Sequence, residues 1–333
     1  ADAAAGHQFA LPGIVCSSAR DQGTRGMSDF RIPRIKPGDS IGDGLTVLNR
    51  IAGSADPVFL VWNHADWCPM VCKMFGSPRR ARREATALTS LAHPNIVRSF
   101  GYRQPSYTLM EYLEGPSLTA LIDRQPQGRL TVSNAIRVAI HVGAALHHMH
   151  GKGLLHMDVK PDNVIVVHGR PVLFDFGSIR LMAEPRPQRV DGTAPYIAPE
   201  ELRMQETGPA ADVFSLGVTL YQMLTGELPF PDVKIGGLPS QATKPPQSLR
   251  RYRPRVSGEL DALVMRCLAQ APADRPSLPK LLPALHALIE DGPAMWPEGL
   301  DTRPEAKPRR RIALPASDIG PAEPPGAYGT VAR

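Results

Sequence analysis

In "LLHMDVKPDNVIVV", residues 154–167, Asp158, Lys160 and Asn163 stand within six positions between apolar runs, and twelve residues beyond Asn163 comes Asp175 in "LFDFGS". A carboxylate and an amide oxygen placed after apolar strands make a hard-oxygen pair suited to Mg²⁺, and a further carboxylate is left free of it. A free carboxylate can orient a hydroxyl, and a lysine beside it can neutralise phosphate charge. Phosphoryl transfer needs these parts and little covalent chemistry besides.

Such residues must be held by regular elements, and the sequence supplies them. From Leu45 to Met74 the β-rich pieces "LTVLNRI", "VFLVWN" and "PMVCKMF" alternate with turn signals and read as an antiparallel meander. In "SPRRARREATALTSLAHPN", Ser77 is the expected N-cap and Pro78 the first helical residue; Glu84, Leu88 and Leu91 then follow at helical spacing, with Glu84 on the apolar side. A further strand, "YTLMEYL", precedes a mostly helical stretch. There "TVSNAIRVAIHVGAALHHMHGKG" carries Ile136, Ile140 and Ala144 at helical spacing and stops at Gly151 and Gly153. "DVFSLGVTLYQMLTGELPF" is apolar nearly all round and predicts a buried helix, and residues 258–290 give two more helical patterns around "PADRPS".

Composition bounds the rest. The chain has 333 residues, 42% of them hydrophobic, enough for a sizeable core. No window reaches the eighteen or so apolar residues of a membrane span, and no signal core follows a basic start, so a cytoplasmic protein without a membrane span is expected. Four cysteines, at 16, 68, 72 and 267, are too few for a disulfide framework, and Cys68 and Cys72 lack the second pair that a zinc site wants. The net charge of +6 comes from 30 Arg and 8 Lys, as a GC-rich bacterial genome encodes, and is too modest to argue for nucleic acid. Residues 1–40 and 291–333, rich in Ala, Pro, Gly and Arg, are expected to be disordered.

Taken in order, "VCK", Glu84, "HMDVKPDN", "DFG" and "APE" resemble the motifs of the protein kinase family, and specifically the bacterial Ser/Thr kinases of eukaryotic type. The resemblance spans about residues 45–290. It implies an α+β, two-lobed protein kinase fold: an N-lobe at 41–113 with a small antiparallel sheet and one helix, and a larger, mainly helical C-lobe at 114–290. It also implies ATP and Mg²⁺ as cofactors and a protein as substrate. Lys73 would hold the α- and β-phosphates and pair with Glu84; Asp158 would take or orient the hydroxyl proton; Lys160 would touch the γ-phosphate; Asn163 and Asp175 would hold Mg²⁺. Lysine two residues after the base, and Thr193 in "GTAPYIAPE", follow the Ser/Thr pattern. Met110 would precede the hinge, with Glu111 and Leu113 offering backbone groups to adenine, while Cys72 and Met74 face the opposite side of their strand as core. Asp212 resembles the buried aspartate that bonds the catalytic-loop backbone, and Arg275 the arginine that pairs with Glu200.

Two departures stand out. The three glycines that cover the phosphates in the family fall here at Ala52, Ser54 and Pro57, and proline has no NH to donate; Gly53 remains as a hinge shifted by one position. "IGDG" at 41–44 lies too far ahead of Lys73 to replace them. A reshaped loop and weak ATP binding are expected. Second, Met157 occupies the place where most regulated kinases carry an arginine that binds a phosphorylated activation loop, and residues 175–200 have only Ser178, Thr193 and Tyr196 as hydroxyl residues. Control by activation-loop phosphorylation is therefore expected to be absent, leaving a constitutively poised enzyme or a regulatory protein partner. A nucleotide-binding pseudokinase scaffold, and a small-molecule phosphotransferase on the same core, are the alternative functions.

Other charged features have ordinary explanations. Arg79, Arg80, Arg82 and Arg83 read as a solvated helix face, with a docking face for an acidic partner as the alternative, and Arg80 sits where it would compete with Lys73 for Glu84. His147, His148 and His150 suit a helix C-terminus.

Overall fold

Alternating burial explains the first five strands. The computed structural model describes residues 32–289 apart from 43, 54–55, 185–191, 231–233 and 236–237. Strands β1 (Leu45–Ala52), β2 (Val58–Asn63) and β3 (Cys68–Met74) form the expected meander, and β4 (Ser99–Arg103) and β5 (Tyr107–Glu111) complete an antiparallel sheet in the order β1-β2-β3-β5-β4. One face buries Val47, Phe59, Val61, Met70, Cys72, Met74 and Leu109 as a core. Period-two geometry therefore sends Val71 and Lys73 to the other face. Strand β4, "SFGYR", has no alternating signal and was not anticipated from the sequence; pairing with β5 supplies what its own pattern lacks.

Helix α1 (Pro78–Thr89) crosses that second face, burying Ala81, Glu84, Ala85, Ala87 and Leu88. Ser77 occupies the N-cap position with extended backbone but makes no side-chain cap, a correction to the sequence expectation. Residues 32–40 were assigned to a disordered extension; instead Ile32 and Ile35 pack on the sheet core and Gly38 donates to the Val47 carbonyl at 2.8 Å. The expected disorder of residues 1–31 and the tail from 291 lies outside the described residues.

Beyond β5 the chain is mostly helical: α2 (Leu118–Arg124), α3 (Val132–Gly151), the short strands β6 (Leu154–Leu155), β7 (Val164–Val167), β8 (Arg170–Leu173) and β9 (Arg180–Leu181), then α4 (Pro199–Leu202), α5 (Pro209–Thr225), α6 (Gly258–Cys267) and α7 (Leu278–His286). Helix α5 is buried on all sides, as its apolar sequence requires, and α3, α6 and α7 pack around it in one large core. Gly217 permits the α5–α6 approach: a Cβ there would lie 2.7 Å from Cys267 Cβ. The buried stripe of α3 runs through Ala135, Ile136, Ala139, Val142 and Leu146, so Ile140 and Ala144 sit at its margin, one position off the expected stripe. The two lobes are joined at β8, where Leu173 accepts from the Val97 amide at 3.0 Å and Asn95 Nδ2 donates to the Pro171 carbonyl at 2.7 Å. This is a two-lobed α+β fold.

Helix α4 carries a buried carboxyl with a pH consequence. Burial, aided by the Asp212 and Glu200 carboxylates, lifts Glu201 to about 8 although its Oε1 accepts from the Ala198 amide at 3.1 Å. The folded chain thus holds a proton that the unfolded chain gives up near the ordinary Glu value of about 4.3. The resulting stability is fully present below that value and is lost as pH rises towards 8. Glu201→Gln keeps the acceptor and cannot ionise. Its advantage in Tm over wild type should be larger at pH 8.5 than at pH 5.5, by about 4 °C or more; an equal difference at both pH values would exclude Glu201 from the linkage.

Candidate active site

The face of β3 opposite its core brings Lys73 to a cleft of about 1010 Å³ between the sheet, α1 and the β7–β8 hairpin. Lys73 Nζ donates to Glu84 Oε1 and Oε2 at 3.0 and 3.1 Å and to Asp175 Oδ1 at 3.1 Å. Burial alone would pull the lysine's pKa down, but the two carboxylates outweigh it and hold Lys73 above its usual range. For Asp175, burial pushes upward and the Lys73 charge more than offsets it, so this acid sits below the usual range. Glu84 is lifted by burial, which Lys73 offsets only in part. A cation pinned between two carboxylates is pre-oriented before any anion arrives.

Asp158 lies on the catalytic-loop stretch between β6 and β7. Its Oδ2 accepts from Lys160 Nζ at 2.7 Å and Asn163 Nδ2 at 2.9 Å; its Oδ1 accepts from the Thr193 amide at 3.1 Å and Thr193 Oγ1 at 2.9 Å. Lys160 also donates to Thr193 Oγ1. The carboxylate is thereby fixed in direction by four donors. Asn163 spends its NH₂ on Asp158, on both the carboxylate and the backbone carbonyl, which leaves Oδ1 as the oxygen it can offer to a cation. The Phe174 amide donates to the Asn163 carbonyl at 3.0 Å, so the β7–β8 hairpin sets Asn163 beside the start of the Asp175 loop.

This donor set fits Mg²⁺. With one carboxylate and one amide oxygen as its protein ligands, a cation at Asn163 and Asp175 would leave most of its shell to water and phosphate oxygens. Mg²⁺ dehydrates reluctantly and is bound in that manner.

The positions predicted for nucleotide contact also line the cleft: Ala52, Gly53, Met110, Glu111 and Leu113, with Ile51, Val58 and Val71. Ser54 lies outside the described residues. Glu111 donates its amide to the Arg98 carbonyl at 3.0 Å, so of its backbone groups only the carbonyl is available to a base. Gly53 has φ +79°, and a Cβ there would meet the Asp56 carbonyl oxygen at 2.0 Å, so this turn admits only glycine. Of "IGDG", the described residues Ile41, Gly42 and Gly44 lie ahead of β1 and are not among the residues lining the cleft.

Support comes from α5. Asp212, fully buried in its first turn, accepts from the His156 amide at 3.0 Å and the Met157 amide at 2.9 Å. This grip holds Met157 at φ +70°, a conformation costly for a side chain with a Cβ. His150 Nε2 lies 2.8 Å from Asp212 Oδ2, a specific partner that sequence reasoning missed when it assigned the histidines to the helix end; no spacing rule connects His150 to Asp212. Arg275 makes a buried bidentate pair with Glu200, both bonds at 2.7 Å.

The arginine run on α1 is exposed, as a solvated face requires, and three of its members also have specific partners. Arg80 pairs with Asp56 at 2.8 Å rather than competing for Glu84, Arg82 lies over the Tyr102 ring, and Arg83 reaches residues 179 and 184. Nothing in one sequence reveals these partners, because they come from other elements.

Comparison with known proteins agrees with this geometry. The protein kinase domain family matches residues 53–286. The chain is 31% identical over 277 residues to the serine/threonine-protein kinase pkn3 of Myxococcus xanthus, covering 74% of this chain and 49% of that protein. It is 30% identical over 253 residues to the serine/threonine-protein kinase PknB of Mycolicibacterium smegmatis, covering 72% and 40%. It thus spans about half, or less, of the length of these curated relatives. Among solved structures, the PknI kinase domain of Mycobacterium tuberculosis superposes with a TM-score of 0.60 at 28% identity, over 76% of this chain and 99% of that one. Among the described residues no helix is long and apolar enough to cross a membrane.

Proposed function

Because the chain belongs to the protein kinase domain family, we propose that it is a Ser/Thr protein kinase that transfers the γ-phosphate of ATP to a protein hydroxyl with the aid of Mg²⁺. One observation carries the reading: a carboxylate, Asp158, is gripped by a cation, an amide and a hydroxyl; a lysine pinned by Glu84 and Asp175 accompanies it in the same fold. In this reading Asp158 accepts the substrate's hydroxyl proton as the oxygen attacks the γ-phosphorus, the bond from that phosphorus to the β-phosphate oxygen breaks and ADP leaves, and Lys160, already at Asp158, neutralises the transferring group. Lys73 holds the α- and β-phosphates. Asn163 Oδ1 and Asp175 would hold Mg²⁺, which when bound would supply charge neutralisation for the phosphates. The need for ATP supports a cytoplasmic location for this domain. Labelled γ-phosphate should pass to Ser or Thr, not Tyr, of a protein acceptor; labelled tyrosine alone would overturn the assignment.

Activation-loop phosphorylation plays no part in this proposal. Met157 is buried and cannot pair with a phosphate, which leaves a constitutively poised enzyme or control by a regulatory protein. Mass spectrometry of active enzyme should find Ser178, Thr193 and Tyr196 without phosphate, and an activating phosphate on any of them would end this part of the proposal. The glycine-poor loop motivates the pseudokinase alternative, but Lys73, Glu84, Asp158, Asn163 and Asp175 are all present and converge on the cleft or the loop beside it.

A further inference from the structure

A single guanidinium links helix α1 to the segment that follows Asp175. Arg83 Nη2 donates to the Ile179 carbonyl at 2.9 Å and lies 2.8 and 2.9 Å from the two Glu184 oxygens. Arg180 Nε, at 3.7 Å, is a weaker second cation for Glu184. Arg83 adjoins Glu84, so neighbouring residues of one helix grip Lys73 and the segment. From the opposite side, Leu154 and Leu155 pair with Leu181 and Arg180. Further along, Gly192 runs close under the Met157 carbonyl, where an added Cβ would stand 3.1 Å away, and Thr193 is held by Asp158.

We propose that Arg83 is a positioning residue that latches residues 179–184 to helix α1, fixing the segment by an internal ion pair. A guanidinium N–H binds a carboxylate as a charge-assisted donor, and here Arg83 Nη2 makes that contact with Glu184. The latch joins the element carrying Glu84 to the one descending from Asp175, so its closure favours the arrangement in which Lys73 meets both carboxylates. With the Arg83 side chain about half exposed (51%) and Glu184 at 25%, the pair is open to screening by salt.

This inference rests on the kinase reading, and the test separates the two. Phosphate transfer would be compared for wild type, Asp158→Ala, Arg83→Ala, Arg83→Lys, Glu184→Gln and the charge swap Arg83→Glu with Glu184→Arg. Arg83→Ala and Glu184→Gln should lower kcat by about three- to tenfold, with the ATP KM within about twofold; this corresponds to the loss of one charged contact. Lysine should restore part of the loss. The swap should recover part of it too, limited by the missing bond to Ile179. High salt should lower wild-type kcat towards that of Arg83→Ala. Wild-type kcat in both single variants, or no recovery in the swap, would overturn the latch while an inactive Asp158→Ala left the kinase reading intact. Should wild type itself show no transfer, hydrogen exchange decides the latch: Arg83→Ala should speed exchange at residues 179–184 about tenfold or more, and unchanged protection would overturn it.

Discussion

Replacing Asp158 with alanine lowers kcat for phosphate transfer by about 10²–10⁴, the range supplied by a positioned general base, while the chain stays folded. The loss has two sources. The substrate hydroxyl no longer has a carboxylate to receive its proton, and Lys160, Asn163 and Thr193 lose the acceptor that orders them. Asp158→Asn separates these sources. Its amide can still accept from Thr193, but its NH₂ faces the donors Lys160 and Asn163, so it should be nearly as inactive as alanine. Binding of ATP, which relies on Lys73 rather than on Asp158, should change less than about threefold. Fluorescence or calorimetric titration of nucleotide, alongside steady-state kinetics, checks both halves; full activity in either variant would remove Asp158 from the chemistry.

The second large effect is on stability. Arg275→Leu deletes a guanidinium that bonds both Glu200 oxygens and the carbonyls of Ala269, Ala210 and Gln270, and that lies 4.9 Å over the Phe214 ring. Both partners are almost wholly out of water. A buried pair contributes little net stability when both charges are exchanged for apolar groups, yet breaking it strands one charge at a cost of about 3–5 kcal/mol. For a domain of this size that is a fall in Tm of about 10 °C. The double variant Arg275→Leu with Glu200→Leu should regain part of the loss. Arg275 touches none of Lys73, Asp158 or Asp175, so the protein that remains folded at low temperature should keep most of its activity. A Tm within about 2 °C of wild type would show that Glu200 finds other compensation.

Much of the site was legible because its chemistry is local in sequence. The order Lys73, Glu84, Asp158, Asn163, Asp175, Glu200 follows the turns and strands that carry them, and alternation in β3 assigned Cys72 and Met74 to the core and Lys73 to the cleft. Ser77 shows the limit of a local rule: the residue type and position suit a cap, but the side chain does not make the bond. Strand β4 shows another. An edge strand without alternation is stabilised by its partner, and the partner is elsewhere in the chain.

The sequence by itself determined the strand meander, the buried character of α5 and the set of residues suited to phosphoryl transfer, because hydrophobic period, turn chemistry and motif spacing are properties of short stretches; the two-lobed fold came from the resemblance of its motifs to the protein kinase family. Tertiary structure alone decided which charges meet. Arg80 chose Asp56 over Glu84, Arg83 chose Ile179 and Glu184 across 96 and 101 residues, and His150 chose Asp212 across 62. An ion pair or hydrogen bond acts over about 3 Å, and only the packing of α1 on the sheet, and of α5 under the catalytic loop, brings such distant residues within that reach.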